Sequence, residues 1–251
     1  MTTSPKPRIS AERTSANKPS AKARGRKTSL LRRLVSLVYL LPLAFVALFL
    51  LLVIIYAQTH PASMLMIGRW ITGKSVERSW VPLDDISRNL VAAVVTSEDA
   101  RFCTHHGVDW VEMRNAIEDE EEGAGRGAST ITMQTVKNLF LWNSHSFIRK
   151  GIEIPLALGL DRLWPKRRIL ETYLNIAEWG EGVFGAEAAA RTYFGKSAKQ
   201  LSPREAALLA AALPNPKLRD ARHPTRAQSR KATRIVRTAS PDADWLQCLG
   251  R

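Results

Sequence analysis

Hydrophobic residues form one long uninterrupted run near the start of the chain. Residues 34–57 include no charged side chain, and a helix of this length, at about 1.5 Å per residue, crosses the roughly 30 Å hydrocarbon core of a bilayer. We therefore predict a transmembrane helix over 34–57, in which Pro42 is tolerable. Two alternatives stay open: a buried core helix, although such helices usually keep a polar face, and a cleaved signal peptide, whose apolar region is usually shorter.

Beyond residue 57, apolar residues recur at helical spacing, and strict alternation of apolar and polar residues is scarce. This pattern predicts a mainly α domain. Five amphipathic segments are predicted as helices: one capped by Asp84 or Asp85, one capped by Ser129, and three over about 147–164, 166–178 and 186–193.

Local signals refine this picture. Pro155 lies inside one predicted helix and is expected to kink it. The run that begins at Ser202 combines a capping box with a proline at the first helical position, which predicts the start of an Ala- and Leu-rich helix. Residues 118–127 hold five consecutive acids followed by three glycines, a pattern typical of a mobile surface loop.

Charge is distributed unevenly along the chain. The total is +14, but residues 1–33 carry +9, residues 217–251 carry +6 and residues 58–216 carry −1. A strongly basic chain suggests nucleic acid or an anionic membrane as its partner, yet the basic tail lacks the interleaved aromatic residues that stack on bases. We therefore expect no nucleic acid, and we predict a disordered basic tail over 1–33, a domain over 58–216 and a basic extension over 217–251.

The position of the basic residues also predicts an orientation. Arg32 and Arg33 precede the apolar run, so the positive-inside rule places the N-terminus in the cytoplasm and everything after residue 57 outside. Cys103 and Cys248 are too few for a disulfide scaffold, and their spacing leaves open whether they pair.

Three stretches carry side chains suited to chemistry. Glu98 ends an apolar helix, where partial desolvation raises the pKa of a carboxylate toward that of a useful general base. The simpler alternative is that Glu98 lies at a solvated helix end. A glycine-rich entry at 127–138 opens a hydroxyl-rich helical turn that can face an anion, or that serves only as a cap. Arg149 and Glu153 share a helix face, which alone is an ordinary ion pair. No metal-ligand spacing, nucleophile elbow or phosphate-binding loop is present.

The order of these motifs resembles that of the peptidoglycan glycosyltransferases, and most closely the monofunctional biosynthetic transglycosylases. The matching patterns are ED-xx-F-xx-H-x-G from Glu98, G-x-STIT-x-Q-xx-KN from Gly127, RK-xx-E from Arg149 and K-xx-ILE-x-YLN from Lys166. About 35 residues follow residue 216, so we expect no transpeptidase domain of the kind that the bifunctional relatives carry.

The resemblance implies a lysozyme-like, two-lobed α fold with one N-terminal transmembrane helix, in a bacterial inner membrane with the catalytic domain in the periplasm. It implies polymerisation of lipid II into β-1,4-linked glycan with inversion, with the membrane, lipid II, the growing strand and other cell-wall synthesis proteins as partners. No cofactor is required, and a divalent cation at the diphosphate is left open. The acidic loop of 118–127 is expected between the two lobes.

Roles for individual residues follow from the same resemblance. Glu98 resembles the general base and Glu153 the second essential carboxylate, while Lys137, Arg149 and Lys150 resemble the cations that stabilise the departing diphosphate. The remaining residues expected to bind substrate or shape the site are Asp99, Phe102, His105, Gly107, Ser129, Thr130, Gln134 and Asn138.

Three positions depart from the family pattern, and two other functions compete with it. Ala128 and Met133 stand where many relatives have Gly and Gln, and Met133 is expected to alter a polar contact. His145 replaces a frequent Arg, and a neutral His is expected to weaken diphosphate binding at pH 7. The competing functions are a lytic enzyme that cleaves glycan and a catalytically inactive glycan-binding scaffold.

Overall fold

The computed structural model describes residues 1–2, 21–121, 128–142 and 146–250, without the side chains of 21–35, 117, 119–121, 147 and 245. It divides into two compact units, Met1–Leu52 and Val53–Arg251. The described helices are α1 (Ala21–Gln58), α2 (Met64–Ile71), α3 (Arg88–Glu98), α4 (Trp110–Glu121), α5 (Ile131–Phe140), α6 (Phe147–Leu163), α7 (Lys166–Ile176), α8 (Ala186–Phe194), α9 (Pro203–Ala212) and α10 (Arg226–Thr238).

Helix α1 contains the predicted span. Its segment Ser36–Gln58 has 23 residues and a mean hydropathy of 3.0, and only 11% of its most apolar window is buried. This exposure is unlike that of a core helix, and the segment fits a membrane anchor. The helix begins at Ala21, however, inside the tail that we predicted to be disordered. Ala, Lys, Arg and Leu are good helix formers, so the helix extends backward from the span. The predicted disorder of residues 3–20 falls outside the described residues.

The second unit is built mainly of helices, as predicted. Helix α5 packs against α6 and α7, while α9 packs against α3 and α10. Three short strands, β1 (Glu77–Arg78), β2 (Glu178–Gly180) and β3 (Val183–Phe184), form a sheet in the order β1-β3-β2, with β1 parallel and β2 antiparallel to β3. Predicted core residues of α3, α5 and α7 are buried, among them Leu90, Val94, Ile131, Val136, Ile169 and Leu174. The buried faces confirm the helical periodicity.

Two helices start later than predicted. Ser87 caps α3, its Oγ accepting a hydrogen bond from the amide of Asn89, whereas Asp84 and Asp85 lie in a separate 3₁₀ turn. Thr130, not Ser129, caps α5. In each case several residues able to cap lie close together, and the burial of the following apolar residues selects among them. Ser202 caps α9 with the predicted capping box, and α6 continues through Pro155.

The predicted acidic loop is partly helical. Residues 118–121 belong to α4, which ends at Glu121, and residues 122–127 lie outside the described part of the chain. Because Glu is a good helix former, a run of acids continues a helix until glycine ends it. The prediction of a loop from Glu118 onward was therefore wrong for its first residues.

The end of α1 is held within the second unit by the side chains of Trp164, which directly follows α6, and of Arg168 in α7. Trp164 Nε1 donates to the carbonyl of Val53 over 3.0 Å, and Arg168 donates to the carbonyls of Tyr56 and Thr59. The Arg78 and Arg168 guanidinium groups also lie 5.0 and 5.3 Å from the ring centroid of Trp80. The Tyr56 carbonyl, in the last turn of α1, is thus satisfied by a cation.

Cys103 and Cys248 form a disulfide, which resolves the pairing that the sequence left open. Their Cα atoms are 5.5 Å apart, and the bond closes a loop between positions separated by 145 residues. It joins the segment after Glu98 to the C-terminal 3₁₀ helix Asp244–Leu249. Bonds of this kind persist in oxidising compartments.

We expect the variant Cys248→Ser to unfold more easily, because the disulfide restricts the unfolded chain. The free energy of unfolding should fall by about 2–4 kcal/mol, the usual range for a native disulfide. Denaturant titration followed by tryptophan fluorescence measures this loss, and the variant should no longer respond to reductant. Equal stability of the two proteins under oxidising conditions would contradict the expectation.

Candidate active site

Glu98 lies at the end of α3, where the buried run Leu90–Val95 carries the helix end into the domain. Its Oε2 accepts a hydrogen bond from Gln134 Nε2 over 3.2 Å, and Gln134 Oε1 accepts one from the Tyr173 hydroxyl over 3.1 Å. Burial raises the pKa of Glu98 above its ordinary value, although the Gln134 hydrogen bond and nearby cations oppose that rise. A half-buried carboxylate with a raised pKa is a stronger base than an ordinary one and is thus suited to general-base chemistry.

A cluster of three cations, Lys137, Arg149 and Lys150, surrounds one buried carboxylate. Glu153 is 1% exposed, and it accepts from Arg149 Nη1 and from Lys150 Nζ, the latter over 3.1 Å. Lys150 Nζ also donates to Ser129 Oγ over 2.6 Å. The cluster keeps a net positive charge of +2 and is thus suited to bind an anion with several oxygens.

Lys137 connects this cluster to Glu98. It lies on α5 and interacts electrostatically with both Glu98 and Glu153. Burial lowers its pKa, and the charges of Arg149 and Lys150 lower it further, whereas Glu153 raises it. Gln134, Lys137 and Asn138 are half-buried and share one face of α5. The predicted base and the predicted cations therefore meet along α5.

Other predicted site residues are buried in contacts that support this arrangement. The Asp99 carboxylate contacts His105 Nε2 at 2.8 Å and accepts from the amide of Ile131 over 2.9 Å. Thr130 Oγ1 donates to the carbonyl of Gly107 over 2.6 Å. These bonds fix the end of α3 against the start of α5, and so fix Glu98 against Gln134. Whether Asp99, His105 and Thr130 also bind substrate stays a prediction.

Gly107 and Phe102 hold the same loop against α6 and α7. Gly107 has φ = +82°, and a Cβ atom there would lie 2.6 Å from the carbonyl oxygen of Ala157, so only glycine fits. Phe102 is fully buried, and Lys166 Nζ lies 4.5 Å from its ring centroid. Packing therefore explains why Phe102 and Gly107 occupy their positions in the motif that begins at Glu98. Whether either residue contacts substrate stays a prediction.

Comparison with known proteins identifies the family. The sequence model of the family described as "Transglycosylase" matches residues 65–239. Over 222 residues the chain is 51% identical to the biosynthetic peptidoglycan transglycosylase of Rhizobium meliloti (strain 1021), covering 87% of this chain and 92% of the relative. The protein of the same name from Rhodopseudomonas palustris (strain TIE-1) is 52% identical over 219 residues, covering 86% and 92%. The chain belongs to the biosynthetic peptidoglycan transglycosylases.

Family membership confirms the predicted reaction class and fold class. The protein is a glycosyltransferase of peptidoglycan synthesis, with a lysozyme-like helical domain and an N-terminal helix that fits a membrane anchor. The family match continues to residue 239 and so includes α10. Residues of the predicted basic extension therefore contribute to the transglycosylase domain.

Three residues that interact with Glu98 or with its partner Gln134 were not predicted from the sequence. Tyr173 is buried in α7 and orients Gln134, and its place in the motif YLN was the only local signal. Lys231 of α10 and Arg219 both interact electrostatically with Glu98. They lie far from Glu98 in sequence, and α10 reaches it only by packing against α3 and α9. No local pattern in this transglycosylase sequence marks the last two residues.

Two departures from the family pattern remain predictions. Met133 is fully buried in the core of the transglycosylase domain, as are other apolar residues of α5, and its effect on a polar contact stays a prediction. His145 lies outside the described residues, and its effect on diphosphate binding stays a prediction.

Among the residues that the structure describes, no three His, Cys, Asp or Glu side chains gather in a group that could hold a metal ion. A divalent cation bound mainly through diphosphate oxygens needs fewer protein ligands. Its involvement with this transglycosylase stays a prediction.

We expect Lys231→Met to move the acidic limb of the pH profile of kcat/KM to higher pH. Lys231 lowers the pKa of Glu98, together with Gln134, Lys137 and Arg219. Without Lys231 that pKa rises further, and since the base works only when ionised, activity is lost at a higher pH as the pH falls. Lys231→Arg keeps the charge and should restore the original limb. An equal shift in both variants would show that the charge is not responsible.

Proposed function

We propose that this transglycosylase polymerises lipid II, a disaccharide-pentapeptide on an undecaprenyl diphosphate carrier, by direct displacement with Glu98 as the general base. The observation that supports this proposal is that one face of α5 links Glu98 of α3 to the cations of α6. Gln134 donates a hydrogen bond to Glu98, and Lys137 interacts electrostatically with both Glu98 and Glu153. The reaction needs a base at the attacking oxygen and positive charge at the leaving group.

At the attacking side, Glu98 accepts the proton of the acceptor's 4-hydroxyl while that oxygen attacks the anomeric carbon of the donor. The bond between the anomeric carbon and the diphosphate breaks, and the configuration inverts to a β-1,4 link. The raised pKa of Glu98 supports this role, because a stronger base drives proton transfer more effectively.

At the leaving side, Lys137, Arg149 and Lys150 hold the diphosphate. Its oxygens gain negative charge as the sugar bond breaks, so charge-assisted hydrogen bonds strengthen in the transition state. Glu153 aligns Arg149 and Lys150 through its two oxygens. Ser129 orients Lys150 from the start of α5.

The domain lies outside the cytoplasm in this proposal. Arg32 and Arg33 precede the anchor and favour a cytoplasmic N-terminus. The Cys103–Cys248 disulfide favours an oxidising compartment for the domain, such as the periplasm. The undecaprenyl chain of the substrate lies in the bilayer, so an anchored enzyme meets donor and acceptor at the membrane surface.

Incubation of the detergent-solubilised protein with radiolabelled lipid II tests the proposal. We expect a glycan polymer that a muramidase degrades, together with release of undecaprenyl diphosphate. Degradation of preformed glycan without polymer formation would identify a lytic enzyme instead. Absence of both activities would identify an inactive scaffold, and either result would overturn the proposal.

A further inference from the structure

One face of α10 forms a ridge of arginines. Arg226, Arg230, Arg234 and Arg237 recur at helical spacing, so they project from the same side of the helix. All four are exposed, and within the described part of the chain none of them forms an ion pair with an acid. We call these four residues the arginine ridge.

A groove lined by arginine and hydroxyl-bearing residues runs along the arginine ridge. It has a volume of about 420 Å³ and is lined by Ser229, Arg230, Thr233, Arg234 and Arg237. Arg204 of α9 lies beside it and donates to the carbonyl of Ser229 and to Thr233 Oγ1. Guanidinium groups and hydroxyls in one groove match the geometry of carboxylates, which accept paired hydrogen bonds from arginine.

The helix that carries the arginine ridge packs near Glu98. On the face of α10 opposite the ridge, Gln228, Ala232 and Ile235 are buried, and α10 packs against α3, the helix that ends at Glu98. Lys231 lies between the ridge and this buried face and interacts with Glu98. The ridge is therefore separated from the packed face by the width of one helix, roughly 10 Å, and a strand that leaves Glu98 reaches it around the side of α10 that carries Lys231.

The chemistry of the exposed face favours a soluble anion over a membrane. Helices that lie in a bilayer surface combine basic residues with exposed Trp, Phe or Leu that enter the lipid. On α10 the only large apolar residue exposed is Val236. By contrast, α2 exposes Trp70 and Ile71 directly after the anchor. The ridge therefore lacks the apolar contacts that bind a helix to lipid.

We infer that the arginine ridge of α10 binds the carboxylates of the stem peptides on the glycan strand as the strand leaves the active site. This inference rests on the function proposed above, in which each added disaccharide carries a peptide that ends in a carboxylate. The ridge holds successive peptides by charge, independently of the sugar chemistry at Glu98. Loss of the ridge shortens the product because the strand dissociates earlier.

The test compares binding of the detergent-solubilised protein to three probes: purified sacculi with intact stem peptides, the same sacculi after amidase has removed the peptides, and phosphatidylglycerol vesicles. The variant Arg230→Gln/Arg234→Gln removes two ridge charges. Its control, Arg114→Gln/Arg162→Gln, removes two exposed arginines of α4 and α6. Because sacculus binding needs no turnover, a failure to polymerise lipid II would overturn the proposed function without deciding this test.

We expect the ridge variant to bind intact sacculi about fivefold more weakly, since each exposed charge contact contributes little. Amidase treatment of the sacculi should weaken binding of the unsubstituted protein by the same factor. The control variant should bind intact sacculi as tightly as the unsubstituted protein does. The ridge variant should also consume lipid II at the normal initial rate but make shorter glycan. Equal binding to treated and intact sacculi would overturn the inference. So would a variant that loses binding only to the vesicles, because the ridge would then contact lipid.

Discussion

Replacing Glu98 by glutamine will reduce the rate of glycan polymerisation about a thousandfold. Glutamine keeps the size of the side chain and can still accept a hydrogen bond from Gln134, but it cannot take a proton from the acceptor hydroxyl. General bases typically contribute between about a hundredfold and ten thousandfold to the rate. The initial rate of polymer formation from labelled lipid II measures the effect.

The same substitution should not destabilise the protein. Burial raises the pKa of Glu98 in the folded state, so the folded form loses stability relative to the unfolded form as the pH rises through that raised pKa. At neutral pH, Glu98→Gln removes this cost, and its unfolding temperature should equal or exceed that of the parent. The control Glu112→Gln, at an exposed position of α4, should keep full activity. An active Glu98→Gln protein would exclude Glu98 as the base.

Removing the Glu153 carboxylate will affect stability and activity together. In Glu153→Ala, two half-buried cations, Arg149 and Lys150, lose the acid that they share. Breaking a buried ion pair by removing one partner typically costs about 3–5 kcal/mol. We expect an unfolding free energy lower by about that amount, and polymerisation reduced about a hundredfold because the cations no longer align on the diphosphate.

An exposed ion pair provides the matched comparison. Asp85 Oδ1 lies 2.8 Å from Lys199 Nζ, and both side chains are at least half exposed. Asp85→Ala should cost less than about 1 kcal/mol and leave activity intact, because water screens such pairs. Denaturant titration of both variants measures the contrast. Equal losses of stability would show that the Glu153 cluster behaves as an ordinary surface pair.

The sequence was sufficient for the parts of the site that depend on local periodicity. The apolar faces of α3 and α5 are readable from spacing, and they place Glu98 at one helix end and Gln134 and Lys137 on one face. The exact first residues of the helices could not be predicted, because Ser87, Asp84 and Asp85 are all able to cap α3. Which of them caps the helix depends on which apolar residues the fold buries.

Features that depend on packing between distant parts of the chain could not be predicted from the sequence. Lys231 reaches Glu98 only because α10 packs on α3 and α9. The pairing of Cys103 with Cys248 likewise needs the chain ends to meet. Phe102, His105 and Gly107 were predicted at the site from a motif, and the structure gives them buried contacts that hold the site's elements together. The motif indicated that these residues belong to the site, but their structural role depends on contacts that the spacing of the motif does not reveal.

The hydrogen-bond chain from Tyr173 through Gln134 to Glu98 has a consequence for where the catalytic proton goes next. The Tyr173 hydroxyl donates to Gln134 Oε1, so the amide nitrogen faces Glu98. An amide NH₂ group cannot accept a proton, so this chain is a dead end and not a relay into the protein. In the proposed mechanism, Glu98 Oε2 is already engaged by Gln134, so Oε1 collects the proton and releases it to water before the next sugar is added.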